Sequence, residues 1–165
     1  MSKLLLDVEV VRQRLTALPT ERYQAGDVVL AEGTTTGKVL VLRDGAVEVR
    51  KDGVRLCEVT EAGAVFGEIS ALLGEAHTAD VRALRPTTFH VADASFLGAD
   101  GTTALYVATL MARRLKGSNH ALIEVKKQLE SGQPRSAIRR MLDRIIEGYG
   151  SPGDPNYAYA IVPWM

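Results

Sequence analysis

The chain has 165 residues, enough for one domain with an apolar core and helical extensions. Its 20 basic and 20 acidic residues cancel, which excludes an overall charge that would attract nucleic acid or a membrane surface. The lone cysteine, Cys57, excludes an internal disulfide, and no apolar run approaches the roughly 20 residues of a membrane span. The sequence therefore predicts a soluble, cytoplasmic protein.

The N-terminal segment, residues 4–18, has apolar side chains at spacings of three and four, with charged and polar residues between them. This period predicts an amphipathic helix that stops at Pro19 and packs on the edge of the strand-rich region after it. The interior charges of the segment are unlike those of a secretory signal. We assign residues 1–20 to an N-terminal helix.

Residues 21–93 change to short runs rich in β-branched residues, separated by turn residues. The predicted strands are 28–30, 38–42, 46–50, 54–59 and 87–91. Asp44-Gly45 and Asp52-Gly53 predict hairpin turns, because both residue types tolerate positive φ. Strands this short favour an antiparallel sandwich or barrel. The predicted fold class is α+β, mainly β: an antiparallel jelly-roll or double-stranded β-helix barrel with an N-terminal helix and long C-terminal helices.

One stretch of this region, residues 66–83, predicts a glycine turn, one short helical turn and a strand. In Phe66-Gly67-Glu68, the glycine turn opens the helical turn. Free backbone N–H groups therefore lie at a helix N-terminus, where they can hold an anion such as a phosphate. We expect the ligand site of the protein here.

Residues 94–131 predict a hinge and a long helix over 103–129. Its apolar positions alternate at spacings of three and four, and the stripe consists of Leu105, Ala108, Ala112, Leu115, Asn119, Leu122, Lys126 and Leu129. Polar Asn119 and Lys126 on such a seam are typical of a two-stranded coiled coil whose register they fix, which favours a homodimer. The alternative is a helix that packs this stripe on its own barrel. Gly117 favours a bend or break, because glycine costs about 1 kcal/mol against alanine there.

Residues 132–165 predict an additional helix and an apolar tail. The helix, 135–146, comes after Pro134 and has an apolar side and a side with four arginines, which we interpret as a solvated face rather than a nucleic-acid patch. The tail, 157–165, is apolar enough to dock on a protein partner. No helix-turn-helix unit can be built from these residues, so we expect no direct DNA binding.

The stretch 66–83 resembles the phosphate-binding cassette of the cyclic nucleotide-binding domain, the sensor module of bacterial catabolite activators, protein kinase A regulatory subunits and some ion channels. The resemblance runs over residues 23–129 and rests on the glycines, Phe66-Gly67-Glu68 and the later Met111-Ala112-Arg113-Arg114-Leu115. It implies that a cyclic mononucleotide, most simply cyclic AMP, is the ligand. It also implies that the long helix dimerises and covers the base of the nucleotide.

The resemblance also implies roles for particular residues. Gly67 admits the phosphate and ribose, and the N–H groups of Ile69 and Ser70 point at phosphate oxygens. Glu68 accepts the ribose 2′-hydroxyl. The remaining implied contacts are a hydroxyl of Thr78 on the phosphate and hydrogen bonds from Ser118 and Asn119 to adenine.

One position departs from the family pattern. His77 occupies the place of the cassette arginine, and it is preceded by Ala76 where proline is usual. Histidine offers one donor and is only partly charged near its ordinary pKa of about 6.5, whereas arginine offers a permanent charge and a two-pronged donor. We expect weakened nucleotide binding, and we do not expect Arg82 to take over this contact.

No chemistry beyond binding is indicated. His90 and His120 stand on separate elements without further ligands at metal-binding spacing, and no serine lies in a nucleophile elbow. The sequence thus predicts a non-enzymatic sensor module that binds cyclic AMP and transmits the binding signal through its C-terminal helix to a partner or dimer mate. The alternative is a degenerate domain that binds no nucleotide and serves for dimerisation or protein interaction.

Overall fold

The computed structural model describes residues 8–132, together with residues 136 and 140. Eight strands and four helices lie within these residues. The strands are β1 Thr20–Tyr23, β2 Val28–Leu30, β3 Lys38–Asp44, β4 Val47–Lys51, β5 Val54–Val59, β6 Val65–Phe66, β7 Asp80–Ala83 and β8 Thr87–Asp93. The helices are α1 Val8–Thr16, α2 Glu68–Leu73, α3 Ala94–Gly98 and α4 Gly101–Glu130.

The strands form two four-stranded antiparallel sheets, with the orders β1-β8-β3-β6 and β2-β7-β4-β5. The chain therefore changes sheet after every strand except β4, which forms a hairpin with β5. Two facing sheets linked in this way make a jelly-roll barrel. The predicted fold class is confirmed.

The two aspartate-glycine turns differ in what they connect. Asp52 and Gly53 both have positive φ, 49° and 75°, and they close the β4–β5 hairpin between paired Lys51 and Val54. Asp44-Gly45, by contrast, joins strands of different sheets, so its prediction as a hairpin is wrong. Its turn chemistry marks a change of direction, but it does not determine which strand becomes the neighbour.

The first sheet is covered on both faces at β3, which explains the continuous apolar run of that strand. Along β3, Leu40 and Leu42 face the core between the sheets, whereas Val39 and Val41 face the helices. All four are at most 1% exposed. Phe66 and Phe89 meet edge to face in the core between the sheets, with ring centroids 5.9 Å apart. This rigid layer supports the turn that comes after β6.

Helix α4 runs without a break through Gly117, contrary to the predicted interruption. It packs on the outer face of the first sheet through a stripe of Thr103, Val107, Leu110 and Arg114, all buried. The predicted seam lies elsewhere on the helix and is exposed from its second member onward: Ala108, Ala112, Leu115, Asn119, Leu122, Lys126 and Leu129. The alternative that this stripe packs on its own barrel is therefore wrong.

Helix α1 packs beside α4, where Arg14 forms an ion pair of 2.6 Å with Asp100 at the start of α4. The predicted helix 135–146 and the apolar tail 157–165 lie outside the continuously described residues. None of the helices in the described part has the length and apolar character to cross a membrane.

Candidate functional site

The candidate cassette begins where β6 ends. Gly67 has a φ of 79°, and a Cβ atom at this position would lie 2.5 Å from the carbonyl oxygen of Lys38. Only glycine fits here without displacing β3. Helix α2 starts at the next residue, and its first backbone hydrogen bond runs from Ala71 to Gly67. The N–H groups of Glu68, Ile69 and Ser70 thus have no acceptor within the helix, as expected for a first turn.

Glu68 is 1% exposed and is held by an arginine from another element. Arg114, on α4, donates through Nη1 to Glu68 Oε1 and through Nη2 to the carbonyl oxygen of Val65 at 2.6 Å. Burial raises the pKa of Glu68 above its ordinary value, and the charge of Arg114 opposes that rise. The ion pair therefore joins the cassette directly to the long helix.

The second carboxylate oxygen of Glu68 has no such partner. Oε2 is buried and receives no hydrogen bond from the described residues. A buried acceptor without a donor is costly, so such atoms are uncommon in folded proteins. This oxygen is therefore a place for a donor that the described chain does not supply.

His77 lies in the loop between α2 and β7 and is 5% exposed. Its ring Nε2 lies 2.9 Å from Thr36 Oγ1, and its backbone exchanges two hydrogen bonds with the β2–β3 loop: its N–H donates to Thr34 at 2.7 Å, and its carbonyl accepts from Gly33 at 2.8 Å. Burial lowers the pKa of His77 below its ordinary value, so the ring is uncharged at neutral pH. The position of the family arginine therefore presents no positive charge.

The hollow beneath the cassette is almost filled. Its volume is about 10 Å³, and its walls are Leu30, Gly67, Ser70, His77, Thr78, Ala79 and Val81. This is room for about one water molecule, whereas small-molecule pockets usually hold several hundred Å³. This hollow as it stands thus admits no nucleotide, and Glu68 is not among its lining residues.

Comparison with known proteins bears on this arrangement. The sequence profile of the family described as "Cyclic nucleotide-binding domain" matches residues 20–99, which contain all eight strands and the cassette. Residues 20–99 belong to the cyclic nucleotide-binding domain family. The resemblance of the cassette to that family is confirmed.

Individual relatives share this domain but are much longer proteins. Potassium/sodium hyperpolarization-activated cyclic nucleotide-gated channel 3 of Homo sapiens is 38% identical over 77 residues, which are 47% of this chain and 10% of the channel. Channel 2 of Mus musculus is 36% identical over 77 residues, 47% of this chain and 9% of the channel. The chain thus matches only about a tenth of the length of these relatives.

Solved structures of other regulators share the fold. The catabolite activator protein of Thermus thermophilus is 19% identical and superimposes with a TM-score of 0.61, over 92% of this chain and 89% of that one. The regulatory subunit of a cAMP-independent protein kinase A from Trypanosoma brucei is 21% identical, with a TM-score of 0.51 over 56% of this chain and 35% of that one. At these identities the likeness shows the fold alone.

Four predicted site residues of this cyclic nucleotide-binding domain line one hollow: Gly67, Ser70, His77 and Thr78. The hydroxyl of Ser70 is engaged locally, since Oγ donates to the carbonyl oxygen of Glu75 at 2.5 Å. Ile69 is partly buried against the core between the sheets. The structure thus brings these cassette residues together, and the Ser70 hydroxyl is occupied by a contact within the protein.

The predicted base contacts lie on α4, one turn beyond Arg114. Ser118 Oγ donates to the carbonyl oxygen of Arg114 at 2.9 Å, and Asn119 lies exposed on the seam. Neither residue lines the hollow beneath the cassette. The contact of these two residues with adenine stays a prediction. The hollow in its present form is too small for the nucleotide that would make this contact.

Arg82 does not face the cassette. Val81 and Ala83 of β7 point into the core, so Arg82 lies on the outer surface of the second sheet, 3.3 Å from Asp80. The expectation that Arg82 does not replace the cassette arginine agrees with this placement. Lys38, another cation close to the cassette, is paired with Glu21 at 2.6 Å.

Sequence reasoning missed two residues of this site, Arg114 and Thr36. Arg114 comes after Thr103, Val107 and Leu110 at spacings of four, three and four, which places a cation on the buried stripe of α4. A buried arginine requires an acidic partner, so this spacing was a usable signal. Thr36 had no comparable signal, because its contact with His77 spans 41 positions between two loops.

Proposed function

We propose that this domain is a regulatory module that binds a cyclic mononucleotide, in the first instance cyclic AMP, at the cassette. The binding is weak, and its structural effect is transmitted through α4 to the second copy in a homodimer. It acts by binding rather than by catalysis. The observation that carries the proposal is the buried Oε2 of Glu68, which has no donor among the described residues.

A ribose hydroxyl is a suitable donor for this oxygen. It is neutral, so it can approach a buried carboxylate without the desolvation cost of a second cation. Gly67 keeps the adjoining backbone free of a side chain, and the first-turn N–H groups of α2, which have no acceptor within the helix, can donate to phosphate oxygens. These features support a sugar and a phosphate joined in one small ligand.

Transmission depends on the position of Arg114. The guanidinium contacts Glu68 on the cassette and is itself carried by α4. A hydroxyl that donates to Glu68 changes the electrostatic environment of this arginine, and movement of the cassette displaces its partner. The exposed seam of the same helix then offers the surface through which a second copy responds.

We expect the affinity to be low. Loss of a charge-assisted, two-pronged contact costs on the order of 2 to 5 kcal/mol when the partner stays buried. A loss of this size carries a micromolar dissociation constant towards the millimolar range. Opening the hollow of about 10 Å³ adds a further cost.

Relatives of the same fold differ in how their ligand is described. One solved structure is described as cAMP-bound, with 20% identity and a TM-score of 0.52, whereas the Trypanosoma brucei subunit belongs to a cAMP-independent kinase. The fold is therefore compatible with either property and does not by itself decide between them.

A second candidate is a dimerisation module that binds no nucleotide. The closed hollow and the uncharged, hydrogen-bonded His77 favour it. In that case α4 has the same role, but the cassette serves only to hold Glu68 and Arg114 together.

Isothermal titration calorimetry with cyclic AMP and cyclic GMP at up to several millimolar separates the candidates. The proposal predicts saturable heat for the wild-type protein and a marked loss for Glu68→Gln, with folding checked by circular dichroism. Absence of heat for both the wild type and His77→Arg would refute nucleotide binding and leave the dimerisation module.

A further inference from the structure

The β2–β3 loop, residues 31–37, is attached to the cassette at several points. In addition to the two backbone hydrogen bonds at His77, the N–H of Glu32 donates to Asp80 Oδ1 at 2.8 Å. These bonds fix the backbone of both loops next to each other. The Thr36 hydroxyl then makes a side-chain contact with the His77 ring across this junction.

The hydroxyl of Thr36 is oriented by its own neighbour. The backbone N–H of Lys38 donates to Thr36 Oγ1 at 3.2 Å, while His77 Nε2 lies on another side of the same oxygen at 2.9 Å. A hydroxyl has one donor and two acceptor positions, so it satisfies both neighbours in either tautomer of the ring. Thr36 thus fixes the direction in which the ring points.

That direction is towards the residue that a ligand must approach. His77 Cε1 lies 3.6 Å from the position that a Cβ on Gly67 would occupy, so the ring faces the glycine across the space left by the missing side chain. The same ring is one wall of the hollow of about 10 Å³. The ring therefore occupies space that a phosphate or ribose needs.

The hydrogen bond between Thr36 and the His77 ring can break without disrupting the core. Thr36 is exposed, so water can replace its hydrogen bond, and Gly33 and Gly37 on either side have φ values of 77° and 67° with open space around them. Glycines permit backbone rearrangement at little steric cost. One hydrogen bond at the surface thus holds the ring over the glycine.

We propose that Thr36 determines access to the cassette: its hydroxyl holds the His77 ring over Gly67, and a ligand enters only when this contact breaks. The inference rests on the proposed function for its ligand but not for its geometry. Removal of the hydroxyl shifts the ring towards an open position and strengthens binding. A net hydrogen-bond contribution corresponds to roughly a three- to tenfold tighter dissociation constant.

Three variants test this assignment. Thr36→Val removes the hydroxyl at nearly constant shape, Thr36→Ser retains it, and Thr35→Val changes the adjacent exposed threonine, which makes no hydrogen bond within the described residues. The first measurement is the rate at which diethyl pyrocarbonate modifies His77, followed by peptide mass spectrometry. The second is calorimetry with cyclic AMP, and circular dichroism checks folding.

We expect a severalfold faster modification of His77 in Thr36→Val, with wild-type rates in Thr36→Ser and Thr35→Val, and tighter cyclic AMP binding only in Thr36→Val. An unchanged modification rate in Thr36→Val would overturn the assignment. Faster modification with no cyclic AMP binding in any variant would support the role of Thr36 and refute the proposed function instead. The two failures are thereby distinguishable.

Discussion

Arg114 on α4 donates to Glu68, the first residue of α2, which precedes it by 46 positions in the chain. The side chain of Arg114 is 10% exposed and that of Glu68 1% exposed, so little water screens this ion pair. This ion pair thereby holds the cassette to the long helix. Loss of either charge leaves the other one buried without a counter-charge.

Removal of one member of this pair is expected to destabilise the fold. We predict that Arg114→Gln lowers the free energy of unfolding by about 3–5 kcal/mol, because Glu68 then stays buried without its counter-charge. Urea denaturation monitored by circular dichroism measures the effect. Lys116→Gln, at an exposed position of the same helix, is the control and is expected to change stability by at most about 0.5 kcal/mol. Equal losses of stability in the two variants would show that the buried ion pair contributes no more to stability than an exposed charge.

The charge missing from the cassette leads to a second prediction. We expect His77→Arg to tighten cyclic AMP binding at pH 7 at least roughly tenfold, because a permanent guanidinium replaces a neutral ring. Thr35→Arg adds the same charge to the adjacent loop and controls for a general electrostatic effect. Calorimetry measures both variants, and identical affinities of His77→Arg and the wild type would mean that the side chain at position 77 points away from the ligand.

Two buried histidines predict a pH dependence of stability. Burial lowers the pKa of both His77 and His90, so the unfolded chain binds protons more readily than the folded one below about pH 6.5. The stability that comes from burying the two histidines uncharged is therefore fully present above pH 6.5 and is lost as the pH falls below it. Between pH 7 and pH 5, the free energy of unfolding of the wild type is expected to fall more than that of the His77→Gln, His90→Gln double variant. A difference that stays constant over this range would contradict the burial argument.

The exposed seam of α4 predicts the oligomeric state. Leu115, Leu122 and Leu129 are each about 60% exposed and seven residues apart, which is a costly arrangement for a lone helix in water. We expect the wild type to be a dimer by size-exclusion chromatography with light scattering and Leu122→Asp to shift it to monomer. His120→Asp, exposed on the same helix but off the seam, is expected to leave the dimer intact. A monomeric wild type at high micromolar concentration would contradict the dimer.

Local patterns in the sequence predicted most elements of the fold. The period of three and four placed α4, and the short β-branched runs placed β2, β3, β4, β5 and β8 within a few residues of their observed bounds. β1 and β6 were not predicted, because Thr20–Tyr23 and Val65–Phe66 are too short or too polar to show a strand period. Asp44-Gly45 was misinterpreted since a turn signal contains no information about which sheet the next strand joins.

The candidate site was predictable only in part. Phe66-Gly67-Glu68 indicated the cassette, because glycine and the short apolar turn after it have a local geometric meaning. The closing of the hollow by His77 and the pairing of Glu68 with Arg114 depend on contacts across 41 and 46 positions. Such contacts arise from the packing of loops and helix onto the barrel. The helical spacing of Arg114 indicates that it is buried, but nothing in the sequence identifies Glu68 as its partner or Thr36 as the partner of His77.

Binding of a nucleotide at the cassette, with its effect carried to α4, is tested most directly by two-dimensional amide NMR. The full chain is titrated with cyclic AMP while its backbone amide signals are followed. We predict saturable shifts at Gly67, Ile69 and Ser70, and shifts with the same concentration dependence at Arg114 and Ser118 on α4. A spectrum in which the cassette amides do not move at several millimolar cyclic AMP would contradict nucleotide binding.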